Sequence, residues 1–248
     1  MGPLTRRFLL ACALTAVVAP GAGAAAGRHV LVFGGTGALG AEIVRLLVDQ
    51  GDQVTVFTRP GSDRSLLAGL DVGFVEGDLL NAPDIEAAFR GREVDAVITA
   101  VRVETGDIHF YGKIMPPLTA AAKRAGVQQF IHSGAVGAGR NAEQFTGIGW
   151  ERVPGLLDRL KDQGVGEDIL RASGVPFTII RNTRLHPPGT PATGKAELTE
   201  DQSTLLPMTR ADLARLTVGC LGKADCLGKT FHVRDTSLTW PPPGTPAR

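Results

Sequence analysis

The run Val30-Leu31-Val32-Phe33-Gly34-Gly35-Thr36-Gly37-Ala38-Leu39-Gly40 carries the clearest chemistry in the chain. An apolar strand runs into a glycine-rich turn, and apolar residues at helical spacing (Ile43, Leu46, Leu47) follow. That order points backbone N–H groups and the positive end of a helix at a pyrophosphate. The glycines have separate tasks. Gly34 and Gly35 permit a tight turn, Gly37 lets the backbone approach phosphates, and Gly40 lets the helix pack closely on the strand. Thr36, Ala38 and Leu39 complete the cofactor-contacting loop. The reading is a dinucleotide site, and a ligand-free Gly-rich strand-to-helix turn is the plainer alternative.

The next strand sets the cofactor preference. An NAD site wants a carboxylate at its end, to accept from the ribose 2′-hydroxyl. Phe57-Thr58-Arg59 stands there instead. The Arg59 guanidinium suits a 2′-phosphate, and Thr58 and Ser62 offer hydroxyls. NADP(H) is therefore expected ahead of NAD(H), although Arg59-Pro60-Gly61 is also ordinary turn composition. Arg181-Asn182 ends a later strand, at the sheet edge that opens onto a ligand crevice, and marks the substrate side. His186, in the irregular segment that follows, is a weaker substrate-side candidate. His132 reads mainly as a satisfied, half-buried histidine, with donation to a ligand as the alternative. Asp107 and His109 read as capping residues rather than a metal pair, and no metal site is expected. Cys220 and Cys226 read as unpaired, half-buried thiols, with a disulfide possible in an oxidising compartment.

These residues need a scaffold that alternates strands and helices. Short apolar runs predict strands at 29–33, 53–57, 72–75, 96–100, 129–132 and 177–181. Helices are expected at 38–50, 82–89, 109–125, 155–173 and 210–222, with Pro116-Pro117 disrupting the third. Asp84 and Thr209 are candidate caps, and Gly126 and Gly174 suit the position just past a helix end. The pattern is a doubly wound α/β fold with a parallel sheet covered on both faces. The Pro-, Gly- and Thr-rich stretch 185–207 reads as a small irregular substrate lobe. Residues 27–235 form the nucleotide-binding unit, and 236–248 an extended Pro-rich tail.

With 248 residues and 43% hydrophobic content the chain can bury a sizeable core. A formal net charge of +1, with scattered basic residues, gives no nucleic-acid-binding surface. Residues 1–26 join a basic pair, Arg6-Arg7, to a short apolar stretch and an Ala/Gly-rich end. That is the pattern of a cleavable export signal with a twin-arginine-like start, too short to stay in a bilayer. Export to a bacterial periplasm is the expectation. A cytoplasmic protein with an unstructured leader is the alternative. Cys12 lies too early in the apolar stretch for a lipoprotein cleavage site.

The segments also resemble, in order, an atypical (extended-type) short-chain dehydrogenase/reductase, close to the NAD(P)H-binding, NmrA-like and flavin/biliverdin-reductase-like groups. The resemblance covers about residues 28–235. It rests on Gly34–Gly40, Thr58-Arg59, Gly77-Asp78-Leu79, the stretch from Leu118 to Val127, Ser133-Gly134, the stretch from Glu167 to Arg181, and the stretch from Met208 to Ala214. It implies a Rossmann-type fold. It also implies an adenine contact at Asp78 with Leu79 packed on the ring, a turn-capping role being the alternative for Asp78. Ala100 and Val101 would line the nicotinamide side, and Ser133 the catalytic side.

Members of the wider superfamily pair that serine with a Tyr and a Lys four residues on, which relay a proton while hydride moves. This chain departs from them. Its single tyrosine, Tyr111, lies before the fifth strand and has Met115 four residues on. It reads as a packing or pocket-edge residue. Arg159 and Gln163 fall about where Tyr and Lys are expected. The resemblance then leaves three functions. The first is a reductase passing hydride to a conjugated small-molecule acceptor such as a flavin or quinone, with the Gly-rich stretch 134–149 flooring an open cleft. The second is a non-catalytic NADP(H)-binding redox sensor. The third is a nucleotide-sugar epimerase-like enzyme, which the missing pair disfavours.

Overall fold

A computed structural model describes residues 2, 27–102 and 107–240. The expected leader and the tail from 241 onward lie outside the described residues. Eight strands among the described residues form one sheet: β1 (His29–Phe33), β2 (Gln53–Thr58), β3 (Gly73–Glu76), β4 (Ala96–Thr99), β5 (Gln129–Ala135), β6 (Phe177–Asn182), β7 (Glu197–Thr199) and β8 (Lys229–Arg234). Their order is β3-β2-β1-β4-β5-β6-β8-β7. Every neighbouring pair is parallel except β7 with β8. The order reverses direction between β1 and β4, which is where an open α/β sheet forms its ligand crevice. The architecture is a doubly wound Rossmann-type α/β fold.

Helices α1 (Ala38–Asp49) and α5 (Arg210–Gly219) cover one face, and α2 (Ala82–Phe89), α3 (Phe110–Arg124) and α4 (Leu156–Ala172) the other. Alternation along β1 feeds both layers. Val30 and Val32 enter the core with α1 and α5, whereas Leu31 and Phe33 enter the core with α2 and α3. Thr209 caps α5, its hydroxyl accepting from the Asp212 N–H at 3.0 Å. Gly126 and Gly174 take positive φ just past α3 and α4, as expected. No helix among the described residues is long and apolar enough to cross a membrane.

Several expectations need correcting. Pro116-Pro117 does not disrupt α3, which is continuous over Phe110–Arg124. Prolines remove two N–H donors, but the helix is held by tertiary contacts. Its buried face (Tyr111, Ile114, Met115, Leu118) packs into the core. The buried Asp162 of α4 accepts from the Tyr111 and Gly112 N–H groups at 2.8 and 3.0 Å, capping α3 from a neighbouring helix. Asp84 does not cap α2; it lies inside the first turn and accepts from the Asp78 N–H at 2.9 Å. Strand β5 runs to Ala135, so Ser133 sits within the strand rather than after it. Helix α5 ends at Gly219, short of the expected 222, and just beyond it Cys220 and Cys226 form a disulfide. The free-thiol reading is therefore wrong. Strands β7 and β8 were not anticipated, and the segment 185–207 is partly ordered by β7 and by a bridge from Leu185 to Met208.

Candidate functional site

The turn between β1 and α1 is shaped by the glycines the sequence singled out. Gly34 has φ +84°, and a Cβ there would lie 2.7 Å from the Ala100 carbonyl. At Gly35 a Cβ would press on Val56, and at Gly40 it would collide with the Gly34 carbonyl oxygen. Gly37 differs. It is the exposed N-cap of α1, with extended backbone (φ −78°, ψ 164°), and an added Cβ would meet protein no closer than 3.4 Å. The fold thus leaves open space beside Gly37 and none beside Gly34 or Gly40. Helix α1 has no side-chain cap and no acid in its first turn. Its first intrahelical bond is donated by Ala41, so the Ala38, Leu39 and Gly40 N–H groups lie before the ladder begins. This cradle fits a pyrophosphate.

A cavity of about 820 Å³ opens at the carboxyl edge of the sheet, beginning at this turn. Of the residues the sequence singled out, Gly37, Ala38, Leu39, Ala100, Val101, Ser133 and Asn182 line it. So do Tyr111, Arg159 and Gln163. Arg102, Leu156, Leu160, Leu185 and Arg210 also line it and were missed as site residues, since an isolated arginine or leucine carries no local signature of a cleft. Of the Gly-rich stretch 134–149, only Gly134 and Ala135 are among these lining residues. Much of the remainder forms a 3₁₀ segment, Gly139–Phe145, against α4.

Polar groups divide between cavity and scaffold. The Asn182 Nδ2 donates to Ser133 Oγ at 3.0 Å and to the Gly134 carbonyl at 2.6 Å. With its oxygen so occupied, the Ser133 hydroxyl can turn its proton toward a ligand. Arg181 does not serve the substrate side. Its guanidinium is 7% exposed and bonds the fully buried Glu167, at 2.7 Å for the shortest contact, and Gln202 at 2.9 Å. Arg171 adds a second cation to Glu167 at 2.9 Å. Gly134 admits this carboxylate, since a Cβ there would meet Glu167 Oε1. Arg181 is thus a buried ion-pair residue tying β6 to α4. His186 bonds the Thr239 carbonyl at 2.9 Å and lies outside the cavity lining.

Tyr111 donates to the Val101 carbonyl at 3.0 Å and packs edge-on to the His132 ring. Burial pushes its phenol well above the ordinary range, so it stays neutral. His132 is fully buried rather than half-buried, bonded to Thr99 Oγ1 at 2.7 Å through Nδ1. Burial holds its pKa below the usual histidine value.

Arg59 is exposed just past the end of β2 and opens a turn closed by the Ser62 N–H at 3.1 Å. Thr58 is buried, and its hydroxyl faces the Arg59 carbonyl at 3.4 Å, which removes it as an outward donor. The acid beside Thr58 on β3, Glu76, is engaged by Arg64. Asp78 accepts from the Leu80 N–H at 2.9 Å, a local turn bond, and Leu79 is half-buried beside it. Asp107 accepts from the His109 N–H at 2.9 Å, a local turn bond. No group of metal-binding side chains occurs among the described residues.

A nucleotide-binding turn on a doubly wound sheet, opening into a cavity at the switch point, defines a dinucleotide-binding α/β protein. Residues 34–224 match the NAD(P)H-binding family, and the chain belongs to it. It is 36% identical over 132 residues to sterol demethylase protein B of Methylococcus capsulatus, covering 50% of this chain and 40% of that one. It is 30% identical over 143 residues to the NAD(P)H azoreductase of Xenophilus azovorans, covering 52% and 48%. The matched stretches therefore span less than half the length of either relative. Among solved structures it is similar to ChuY, an anaerobilin reductase from Escherichia coli O157:H7, with a TM-score of 0.74 and 20% identity, covering 86% of this chain and 100% of that one. That likeness concerns the fold.

Proposed function

We propose that this protein is an NADP(H)-dependent reductase that passes hydride to a conjugated small-molecule acceptor. The observation that carries the proposal is a single cavity joining the uncapped start of α1 to Ser133 and Asn182. The azoreductase relative supports a conjugated acceptor. When bound, NADPH supplies the hydride. The Ala38, Leu39 and Gly40 N–H groups hold the pyrophosphate, and Arg59 holds the 2′-phosphate. Ala100 and Val101 give the nicotinamide side a small apolar wall. Ser133 donates to a carbonyl or ring nitrogen of the acceptor and is held for this by Asn182. Neither Arg159 nor Gln163 can relay a proton at neutral pH. The accompanying proton comes from water in the open cavity, which a flavin or quinone tolerates.

The same substitution at 159 and 163 favours a second reading, a redox sensor that binds NADP(H) without turnover. Calorimetric titration with NADPH and NADH, followed by single-turnover mixing of the NADPH complex with flavin, quinone and azo dye, separates the two. Oxidation of bound NADPH by any acceptor supports the reductase. Tight binding with no oxidation supports the sensor.

We also propose that residues 1–26 direct export. The Cys220–Cys226 disulfide suits an oxidising compartment. N-terminal sequencing of the protein from a periplasmic extract tests this, with a start near residue 27 expected and an intact leader overturning it.

A further inference from the structure

Arg159 narrows the acceptor beyond the class proposed above, and the inference rests on that reading. Arg159 is among the described residues lining the cavity. Arg159 stands in the first turn of α4, half-buried, and its guanidinium makes no ion pair or hydrogen bond within the described residues. The buried carboxylates further along α4 are already engaged. Asp162 caps α3, and Glu167 is held by Arg171 and Arg181. The Arg159 guanidinium is left without a counter-ion within the described residues, and its planar fork matches a carboxylate or phosphate. The lining beside it is aliphatic (Leu156, Leu160, Leu185), a surface for a flat apolar body.

We infer that the acceptor is an anion: an apolar conjugated body bearing a carboxylate or phosphate that pairs with Arg159. The position that holds a tyrosine in proton-relaying relatives here anchors charge instead.

Two pairs of acceptors test this, each pair sharing one redox centre. They are FMN against riboflavin, and 4′-carboxy-dimethylaminoazobenzene against its uncarboxylated parent. In each, hydride adds to one nitrogen and a proton from water adds to another, so the pairs differ only in the anionic group. The expected result is a kcat/KM at least about 10-fold higher for the anionic member of one pair, the size of one charge-assisted contact. The pair that shows it tells phosphate from carboxylate. In R159Q that anionic-to-neutral ratio collapses toward one, and R159K keeps part of it. Equal use of both members of both pairs overturns the inference and leaves the reductase reading standing. A loss of NADPH affinity in R159Q as large as the loss of anionic acceptor overturns it too, because the guanidinium would then serve the cofactor. If NADPH binds but neither these probes nor a quinone is reduced, the reductase reading fails. Calorimetric binding of both pairs to the NADP⁺-loaded protein then decides the anion alone, with equal affinities within both pairs overturning it and a preference lost in R159Q supporting it.

Discussion

Arg59 is the residue on which we propose that cofactor choice turns. It follows a strand with no carboxylate at its end, and the nearest acid on the adjacent strand is engaged by Arg64. A charge-assisted contact to a 2′-phosphate is worth about 1.5–3 kcal/mol. Arg59→Ala should therefore weaken NADPH binding about 10- to 100-fold while leaving NADH nearly unchanged, measured by calorimetry. An equal loss for both nucleotides would sink the assignment. Arg181 shows the converse. Its position at the end of a strand marks the crevice, yet its side chain is spent on Glu167 inside the scaffold. Glu167→Ala leaves that cation buried and unpaired, a loss of about 3–5 kcal/mol. The chemical-denaturation midpoint of the variant should fall accordingly. An unchanged midpoint would show that the pair is not holding β6 to α4.

Helix α5 makes its pH dependence legible at the level of the element. Burial pushes the Asp212 carboxyl up. The Thr193 and Gly194 N–H groups and the Thr193 and Thr209 hydroxyls outweigh this and hold it below its ordinary 3.8. A carboxyl lowered in the fold stabilises above its unfolded value, and that stability is lost as pH falls through the folded one. His132 and His232 act in a different window. Burial lowers both below the ordinary 6.5, so each contributes most above that value and loses its contribution as pH falls below it. Thermal midpoints should thus decline in two stages, one beginning near pH 6.5 and one below about pH 4. In Asp212→Asn the lower stage should flatten and the neutral-pH midpoint drop. An unaltered lower stage in that variant would remove Asp212 from the account.

For the molecule as a whole, much of the Rossmann sheet was legible because β1, β2, β4 and β6 are short apolar runs separated by helical periodicity. The nucleotide turn was legible because its glycines have local steric reasons. What the sequence hid is tertiary. The Asp162 cap on α3, the Glu167 cluster and the arginines of the cavity join residues distant along the chain. Strand β8 reads Lys-Thr-Phe-His-Val-Arg, too polar to stand out before β6 and β7 are seen to flank it. Pro116-Pro117 misled because packing outweighed two missing donors. The disulfide was equally hidden, since spacing alone does not bring two cysteines to a Cα separation of 5.6 Å. Closing so short a loop, it should contribute about 2 kcal/mol. Reduction, or the Cys220→Ser/Cys226→Ser pair, should lower the thermal midpoint by several degrees. No change on reduction would mean that the bond does not constrain the unfolded chain.

The margins of the sheet govern how the protein behaves in a crowd. A parallel sheet has open rows of N–H and C=O groups at its outer strands, and such rows can recruit another chain. One margin here is β7, only three residues long, turned antiparallel and fixed to β8 by the Glu197–Arg234 ion pair. The other is β3, four residues long, with Glu76 paired to Arg64. Short strands with a charge at each margin make a poor template, so concentrated solutions are guarded against edge-to-edge fibre growth.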